Sequence, residues 1–277
     1  MVSQAILRQT VKKDNLSSSH ITGPRVLCAG LWRTGTSSLQ IALEQHLAFS
    51  PCLHGAHLVT SVDALKLFYR CCFEDDVAKR RQLLAEWFDH FAASTDLPGF
   101  AFVDDLLEMY PSMRIILNKR SSADAWLTSV KGSLGFYAST TYLIIGYWDP
   151  YLYWHHQIYN GIAHLLQRRF RIPREELFST KMYNAHNDWV RNLAKSHDRP
   201  LLEYEIKEGW APLCRLLDVQ VPLDKVSGDE VEYPRTNDAG EMQELRRYLI
   251  WKGLKAWALL LAPVLIGLLG ILALMPY

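Results

Sequence analysis

The stretch RVLCAGLWRTGTSSLQIALEQHL, residues 25–47, decides the fold that we predict for this 277-residue chain. It begins with the apolar run RVLCAG (25–30), which is typical of a buried strand. TSSLQIALEQHL (36–47) has the apolar spacing of a helix. The loop GLWRTGTSS (30–38) joins them. This order of strand, glycine loop and helix predicts an anion site, because backbone N–H groups of such a loop and of the helix N-terminus point towards the bound group.

The loop differs in one position from the phosphate-binding loop of nucleotide-hydrolysing proteins. That loop reads glycine, four residues, glycine, lysine, and then serine or threonine. Gly30 and Gly35 keep the spacing and Ser37 supplies the hydroxyl, but Thr36 stands in place of the lysine. Since that lysine reaches the β- and γ-phosphates, we expect an anion other than a nucleoside triphosphate. Arg33 provides a cation within the loop that can bind the oxygens of a transferred group.

Strands and helices alternate along the rest of the chain. RIILNKR (114–120) and LLEYEI (201–206) read as strands, and SADAWLTSVKGSL (122–134) reads as a helix. FAFVDDLLEMYP (100–111) fits a strand or a helix, and its apolar spacing favours the helix. The alternation predicts an α/β fold of the P-loop type, with a parallel sheet and helices on both faces.

Composition excludes some classes of protein. A net charge of +1 argues against a nucleic-acid binder that relies on bulk electrostatics. The five cysteines are odd in number and show no metal-type pair spacing, so we expect reduced thiols in a cytosolic compartment and no metal site.

The C-terminal end of the chain is apolar. Residues 256–277 contain no charged residue, and a helix needs about 20 residues to cross the hydrocarbon layer. Lys252 and Lys255 precede this run, which by the positive-inside tendency places the preceding domain in the cytosol. A buried hairpin or a helix docked on the domain is the alternative, which Pro263 and nearby glycines would permit. We predict a flexible arm, one domain and a transmembrane anchor, over residues 1–23, 24–250 and 251–277.

The loop and several later segments resemble one protein family. GLWRTGTSSLQIALE resembles the 5′-phosphosulfate loop of the sulfotransferases, which use 3′-phosphoadenosine 5′-phosphosulfate. It is more similar still to a fungal-rich branch of P-loop sulfotransferase-like proteins, in which a C-terminal apolar helix is common. The resemblance covers about residues 24–250. The other segments that match in order are SPCLHG, TDLPGFAFVDDLLEMYP, RIILNKRSSADAWLTSV, YNAHNDWV, LLEYEIKEGWAPLCRLLDV and YPRTNDAGEM.

The resemblance implies a donor site at the loop. Arg120 would bind the 3′-phosphate together with a serine that the family places eight positions later, where this chain has Thr128. We choose Ser129, because its spacing from Trp126 matches the branch. Tyr204 would lie near the adenine and Arg235 would add a second cation at the 3′-phosphate. The residues that would hold the 5′-phosphosulfate are Arg33, Thr34, Gly35, Thr36, Ser37 and Ser38.

Sulfuryl transfer also needs a base for the proton of the acceptor, and it needs no metal. In the cytosolic sulfotransferases the base is a histidine before a Leu-Pro step, where this chain has Asp96. Asp96 could instead cap the helix that follows. His54 is the competing base. His186 is a third candidate, although it fits better in a helix N-terminal capping cluster with its neighbours Asn184 and Asn187.

Two other segments have structural alternatives. The run FAFVDD resembles the apolar run and aspartate that hold magnesium in nucleotide-hydrolysing proteins, but its helical spacing favours a structural helix. Arg120 could pair with Asp124 instead of an anion. The aromatic residues of segment 135–169 could line a pocket for a hydrophobic acceptor, build the core or face a membrane.

These patterns predict a sulfotransferase that acts on a hydroxyl or amine of a small, hydrophobic acceptor. Two other classes stay open. One is a nucleotide kinase or hydrolase, against which the missing loop lysine speaks. The other is a catalytically altered relative that serves as a membrane-bound binding or scaffold protein, or as a biosynthetic enzyme that transfers no sulfuryl group.

Overall fold

The fold is built on a five-stranded parallel sheet. The computed structural model describes residues 21–236 and 238–273. The strand order is β2-β3-β1-β4-β5, with the strand of the loop in the middle. The strands are β1 (Val26–Cys28), β2 (Cys52–Leu53), β3 (Ala93–Thr95), β4 (Arg114–Asn118) and β5 (Leu201–Tyr204).

Helices surround the sheet. Short 3-10 turns precede α5, α9 and α10, and a π-helical turn over Ala42–His46 continues the first helix. The helices are α1 (Thr36–Ile41), α2 (Gly55–Leu58), α3 (Val62–Phe73), α4 (Val77–Phe88), α5 (Val103–Met109), α6 (Ala123–Leu134), α7 (Thr140–Gly146), α8 (Pro150–Phe170), α9 (Thr180–Ser196), α10 (Trp210–Leu217) and α11 (Asp238–Ala273).

Strand β1, in the centre of the sheet, is apolar and fully buried along its whole length, because both faces of the sheet are covered. Val26 and Cys28 point into a smaller core cluster with residues of α1 and α10. Leu27 points to the opposite face, into a larger cluster with residues of α3, α5, α6, α8 and α9. The prediction of an α/β fold with a parallel sheet and helices on both faces is confirmed.

The three strands predicted from the sequence are present, and the segment that fitted either a strand or a helix is helical. The segments 25–30, 114–120 and 201–206 contain β1, β4 and β5, and the segment 100–111 is helical. The sequence did not indicate β2 and β3. The first has two residues, and the second reads Ala-Ser-Thr without an apolar run.

The predicted capping cluster is wrong. Ser179 is the N-cap of α9, where its side chain accepts a hydrogen bond from the backbone N–H of Met182. Asn184, His186 and Asn187 lie inside the helix. His186 is buried and its Nε2 donates to the carbonyl oxygen of Ala29 at 2.8 Å, directly after β1. Burial lowers the pKa of His186 to about 4, so the ring is neutral at pH 7.

The C-terminal part of the chain forms one continuous helix, α11, so the predicted boundary at residue 250 falls inside it. Residues 242–269 are long and apolar enough to cross a membrane, and 11% of their apolar window is buried. The first half of α11 packs on α7: Leu249 is buried, and the indole Nε1 of Trp257 donates to the carbonyl oxygen of Ile144 at 2.9 Å. The predicted arm before residue 21 and residues 274–277 of the predicted anchor lie outside the described residues.

Candidate active site

A cavity of about 600 Å³ lies where the chain leaves the carboxyl ends of the first four strands. The loop after β1 forms its floor. His54 follows β2, Asp96 follows β3, and Lys119 and Arg120 follow β4. Parallel strands of an open α/β sheet bring such segments to one edge, which is where these folds bind ligands.

Asn118, the last residue of β4, fixes the loop. Its side-chain oxygen accepts from the backbone N–H of Gly30 at 2.9 Å, and its amide donates to Thr34 Oγ1 at 2.6 Å. A Cβ on Gly30 would lie 1.9 Å from the carbonyl oxygen of Asn118, so only glycine fits there. Asn118 was not among the predicted site residues. The available signal was a buried polar residue at the end of a strong strand.

Gly35 is the N-cap residue of α1, and no side chain caps the start of this helix. Its φ of 88° lies in the left-handed region that favours glycine. A Cβ at this position would lie 2.2 Å from Cγ1 of Ile206, which closes the loop from the β5 side. The loop is therefore packed against both neighbouring segments, by Asn118 on the β4 side and by Ile206 on the β5 side.

Two arginines meet beside the loop at Ser129 of α6. Arg33 Nε and Arg120 Nη2 each donate to Ser129 Oγ at 3.4 Å. Arg120 Nε also donates to the carbonyl oxygen of Arg33 at 2.6 Å. The structure thus brings Ser129 to the arginines, whereas Thr128 Oγ1 donates to the carbonyl oxygen of Asp124 within the helix.

The two guanidinium groups repel each other. Burial and then the charge of Arg33 lower the pKa of Arg120. The guanidinium of Arg120 binds the loop and Ser129. It does not form the ion pair with Asp124 that the sequence left as an alternative. An anion in the cavity would stabilise both charges.

A third cation comes from the segment before α11. Arg235 lines the cavity, and the backbone N–H of its neighbour Thr236 donates to Ser38 Oγ at 3.2 Å. Lys119 also lines the cavity, but its Nζ binds Glu203 at 2.7 Å. The cavity therefore combines a glycine loop with several cations, which suits an anion that carries more than one charged group.

His54, Asp96 and Thr36 form a compact polar group on the far side of the loop. Asp96 Oδ2 accepts from Thr36 Oγ1 at 3.2 Å, and it lies 3.4 Å from His54 Nε2. Both His54 and Asp96 are buried. The φ of Asp96 is 64°, a left-handed conformation that costs energy in residues other than glycine and occurs often at functional sites.

Asp96 does not cap the next helix. Its Oδ1 accepts from the backbone N–H of the adjacent Leu97 at 2.7 Å, while the 3-10 turn Gly99–Phe102 has Pro98 as its N-cap and no side-chain cap. The capping alternative is therefore wrong, because the left-handed backbone turns the carboxylate to His54 and the loop.

The remaining wall of the cavity is mostly apolar, with one neutral histidine. His155 Nδ1 hydrogen-bonds the hydroxyl of Tyr142 over 2.8 Å, and burial lowers the pKa of His155 to about 4. The aromatic segment serves two purposes, since Tyr137 and Tyr159 line the cavity whereas Tyr142 is core. The other apolar residues of this wall are Leu58, Val59, Leu134, Ile158, Met242 and Leu245.

Two candidates lie away from the cavity. Tyr204 is fully buried against Tyr233 and donates to the carbonyl oxygen of Gly209 at 3.0 Å, and it does not line the cavity. His186 donates to the carbonyl oxygen of Ala29 and lies on the face of the sheet opposite to α1. Neither side chain is among those that line the cavity.

The aspartates of FAFVDD do not face the loop. Asp105 binds Arg80 at 2.6 Å, and Asp104 binds Arg169 at 3.2 Å. Both carboxylates belong to α5 and pair with arginines of neighbouring helices. This agrees with the prediction of a structural helix for this segment.

The comparisons with known proteins agree with this geometry. A family model described as "Sulfotransferase domain" matches residues 25–242, which run from β1 to the start of α11. The chain is also similar to "Ava biosynthesis cluster protein M" of Aspergillus versicolor, with 29% identity over 241 residues that cover 82% of this chain and 86% of that protein. The chain belongs to the sulfotransferase domain family.

Proposed function

We propose that this protein transfers a sulfuryl group from 3′-phosphoadenosine 5′-phosphosulfate to a hydroxyl or amine of a small, hydrophobic acceptor. The observation that carries the proposal is the convergence of Arg33 and Arg120 on Ser129, beside a phosphate loop that has no lysine. A triphosphate site would need the lysine, whereas a donor with phosphate groups at two ends needs cations on two sides.

The donor would lie across the loop and the two arginines. Arg120, Ser129 and Arg235 would hold the 3′-phosphate, and Arg33 would stabilise the charge that develops on the leaving 5′-phosphate. The residues present suit such a group, because Arg33 and Arg120 both reach Ser129 at one end of the cavity and an anion there would stabilise both charges. Burial, followed by the charge of Arg33, lowers the pKa of Arg120. The loop residues that would hold the 5′-phosphosulfate are Arg33, Thr34, Gly35, Thr36, Ser37 and Ser38.

We assign the role of base to Asp96. The backbone N–H of Ala56 donates to Nδ1 of His54 at 3.1 Å, so Nδ1 is an acceptor and Nε2 is the ring nitrogen that carries a proton. Nε2 then donates towards Thr36 Oγ1 or Asp96 Oδ2, at 3.3 and 3.4 Å. His54 therefore has no free lone pair for the acceptor proton, whereas the carboxylate of Asp96 does. His54 is a positioning residue that orients Asp96.

The proposed reaction forms one bond and breaks one bond at sulfur, and no metal takes part in it. The acceptor oxygen or nitrogen forms a bond to sulfur while the bond between sulfur and the 5′-phosphate oxygen breaks, and its electron pair stays on the phosphate. Asp96 takes the proton of the acceptor. The products are the sulfated acceptor and 3′-phosphoadenosine 5′-phosphate, and the proton leaves to solvent before the next cycle.

The acceptor would occupy the apolar half of the cavity. Tyr137, Tyr159 and Met242 line this half, and His155 offers a neutral hydrogen-bonding group. A volume of about 600 Å³ is typical of sites for small molecules. The name of the relative from Aspergillus versicolor supports a role in a biosynthetic pathway.

We also propose that α11 anchors the protein in a membrane, with the domain on the cytosolic side. The apolar stretch is long enough to span the bilayer and is mostly exposed. Lys252 and Lys255 lie at its domain-proximal end, as the positive-inside tendency requires for this orientation.

The test is transfer of sulfur-35 from labelled donor to a panel of lipophilic alcohols and amines by the full chain in detergent. With an acceptor found, Asp96→Asn should lower kcat by about 10²–10⁴-fold, the usual contribution of a general base. It should leave the affinity for 3′-phosphoadenosine 5′-phosphate unchanged. His54→Gln should lower kcat less, because it only loosens the carboxylate.

Asp218→Asn is the matched control. Asp218 is exposed and, like Asp96, has a left-handed backbone, with a φ of 56°. It should keep full activity. Full activity of Asp96→Asn would show that Asp96 is not the base, and an absence of label transfer to any acceptor would contradict the proposed reaction.

A further inference from the structure

A group of exposed apolar side chains lies where α7 meets α11. Ile144, Tyr147 and Trp148 come from the end of α7 and the turn after it, and Trp251 and Leu254 come from α11. We call these five residues the aromatic corner. They are between 49% and 59% exposed. Large exposed apolar side chains that lie together mark interaction surfaces.

The aromatic corner is fixed to α11 at the level where the charged residues of the helix end. The indole of Trp257 donates to the carbonyl oxygen of Ile144 at 2.9 Å and lies 6.0 Å from the ring of Trp148. A Cβ on Gly253 would lie 2.5 Å from the carbonyl oxygen of Ile145, so α7 and α11 are in close backbone contact. The corner cannot move independently of the helix.

The chemistry of the aromatic corner is that of a membrane interface. Tyrosine and tryptophan concentrate at the headgroup level, where one part of the ring is apolar and another is wet. The cations lie at the same level, with Lys252 Nζ 3.2 Å from Asp149 and Lys255 Nζ 3.6 Å from the ring of Trp251. The exposed apolar surface continues directly into the span at Leu259 and beyond.

We propose that the aromatic corner is a second membrane contact, so that the domain rests on the bilayer surface and does not hang from a free tether. The inference rests on the proposed membrane anchoring and not on sulfuryl transfer. The partner is the lipid headgroup layer. A second copy of the chain could cover the aromatic corner instead, and spin labelling distinguishes it from the lipid headgroup layer.

This contact would place the acceptor half of the cavity near the membrane. Met242 and Leu245, which line the cavity, precede Trp257 on the same helix by 15 and 12 residues. At 1.5 Å per residue the distance along the helix is about 18–22 Å. The cavity would then lie about this distance from the headgroup layer, with its apolar wall on the same helix that enters the bilayer.

The test is spin labelling of the full chain in vesicles of phosphatidylcholine with one fifth phosphatidylserine. Nitroxides are placed singly at Trp148→Cys, Leu268→Cys and Val226→Cys, and their collisions with oxygen and with an aqueous nickel chelate are compared. Leu268 lies in the span, whereas Val226 is 97% exposed in the turn after α10. The wild-type chain, treated with the same nitroxide reagent, controls for labelling of its five native cysteines, all of which are buried.

We expect the ratio of oxygen to nickel accessibility at position 148 to exceed that at position 226 several-fold and to approach that at position 268. A ratio at 148 equal to that at 226, with 268 in the bilayer, overturns the inference and leaves the anchor intact. Dipolar broadening at 148 that disappears on dilution with unlabelled protein also overturns it, since a second copy then covers the corner. An aqueous signal at 268 contradicts the anchoring itself.

Discussion

At the scale of single residues, the buried His155 and His186 and the half-buried His57 make the protein sensitive to acid. Burial lowers the pKa values of His57, His155 and His186 to about 4, against about 6.5 in an unfolded chain. Between these two values the unfolded state binds more protons than the folded state. The free energy of unfolding is therefore highest above pH 6.5 and falls as the pH decreases towards 4.

We expect the Tm to fall by at least about 5 °C between pH 7 and pH 5, as measured by calorimetry or near-ultraviolet circular dichroism. His186→Gln should flatten this dependence, because the amide can still donate to Ala29 but does not titrate. A Tm that stays constant over this range, or a His186→Gln variant with unchanged pH dependence, would contradict the assignment of neutral buried rings.

The residues of the site could be predicted from the sequence in part. The loop residues follow from their spacing, and Arg120 follows from its place at the end of a strong strand. The pairing of His54 with Asp96 could not be predicted, since the two follow β2 and β3, which are too short to recognise. Asn118 lies at the end of β4, a strand that the sequence does indicate, but its role depends on a contact with the loop after the neighbouring strand β1, which no local pattern reveals.

At the scale of elements, the glycine loop is the least tolerant part of the site. Gly35→Ala combines a left-handed backbone with a Cβ 2.2 Å from Ile206, so the loop must shift. We expect at least a tenfold loss of affinity for 3′-phosphoadenosine 5′-phosphate, measured by titration, and a lower Tm.

Gly132→Ala is the matched control for Gly35→Ala. Gly132 lies inside α6, and a Cβ there would meet nothing within 4 Å. Alanine should stabilise that helix by about 0.5–1 kcal/mol and leave nucleotide affinity unchanged. Equal nucleotide affinity in both variants would show that the conformation at Gly35 does not shape the donor site.

Elements were predictable where the hydrophobic pattern is long. β1, β4 and β5 carry apolar runs, and the helices have clear periodicity. β3 has the sequence Ala-Ser-Thr and is buried because of its neighbours β1 and β2, which no local pattern reveals. The capping cluster predicted around Asn184 was wrong because α9 begins earlier. Its N-cap is Ser179, and serine is as good a cap as asparagine.

At the scale of the whole molecule, α11 joins the cavity to the apolar tail. Its first turns line the cavity, its middle packs on α7, and its last part is exposed. The boundary predicted between domain and anchor, at residue 250, lies inside this helix, which continues without a break from one part to the other.

Gly253→Leu tests how far the domain depends on this helix. The added side chain meets the carbonyl oxygen of Ile145, which lies 2.5 Å from a Cβ at Gly253, so α11 must separate from α7. We expect a lower Tm of the domain by several degrees in detergent. Gly267→Leu is the control, because a Cβ at Gly267 meets nothing within 4 Å. An equal Tm in both variants would show that α11 does not stabilise the domain.

The central claim is that the cavity binds the sulfuryl donor, and calorimetric titration of the full chain with 3′-phosphoadenosine 5′-phosphate tests it most directly. We predict binding that does not require magnesium and that weakens by about 10–150-fold in Arg120→Ala, the effect of losing charge-assisted hydrogen bonds of about 1.5–3 kcal/mol. Arg168→Ala, which removes an exposed arginine paired with Asp75, should bind as the wild type does. No binding of the bisphosphate, or binding only of ADP with magnesium, would contradict the account.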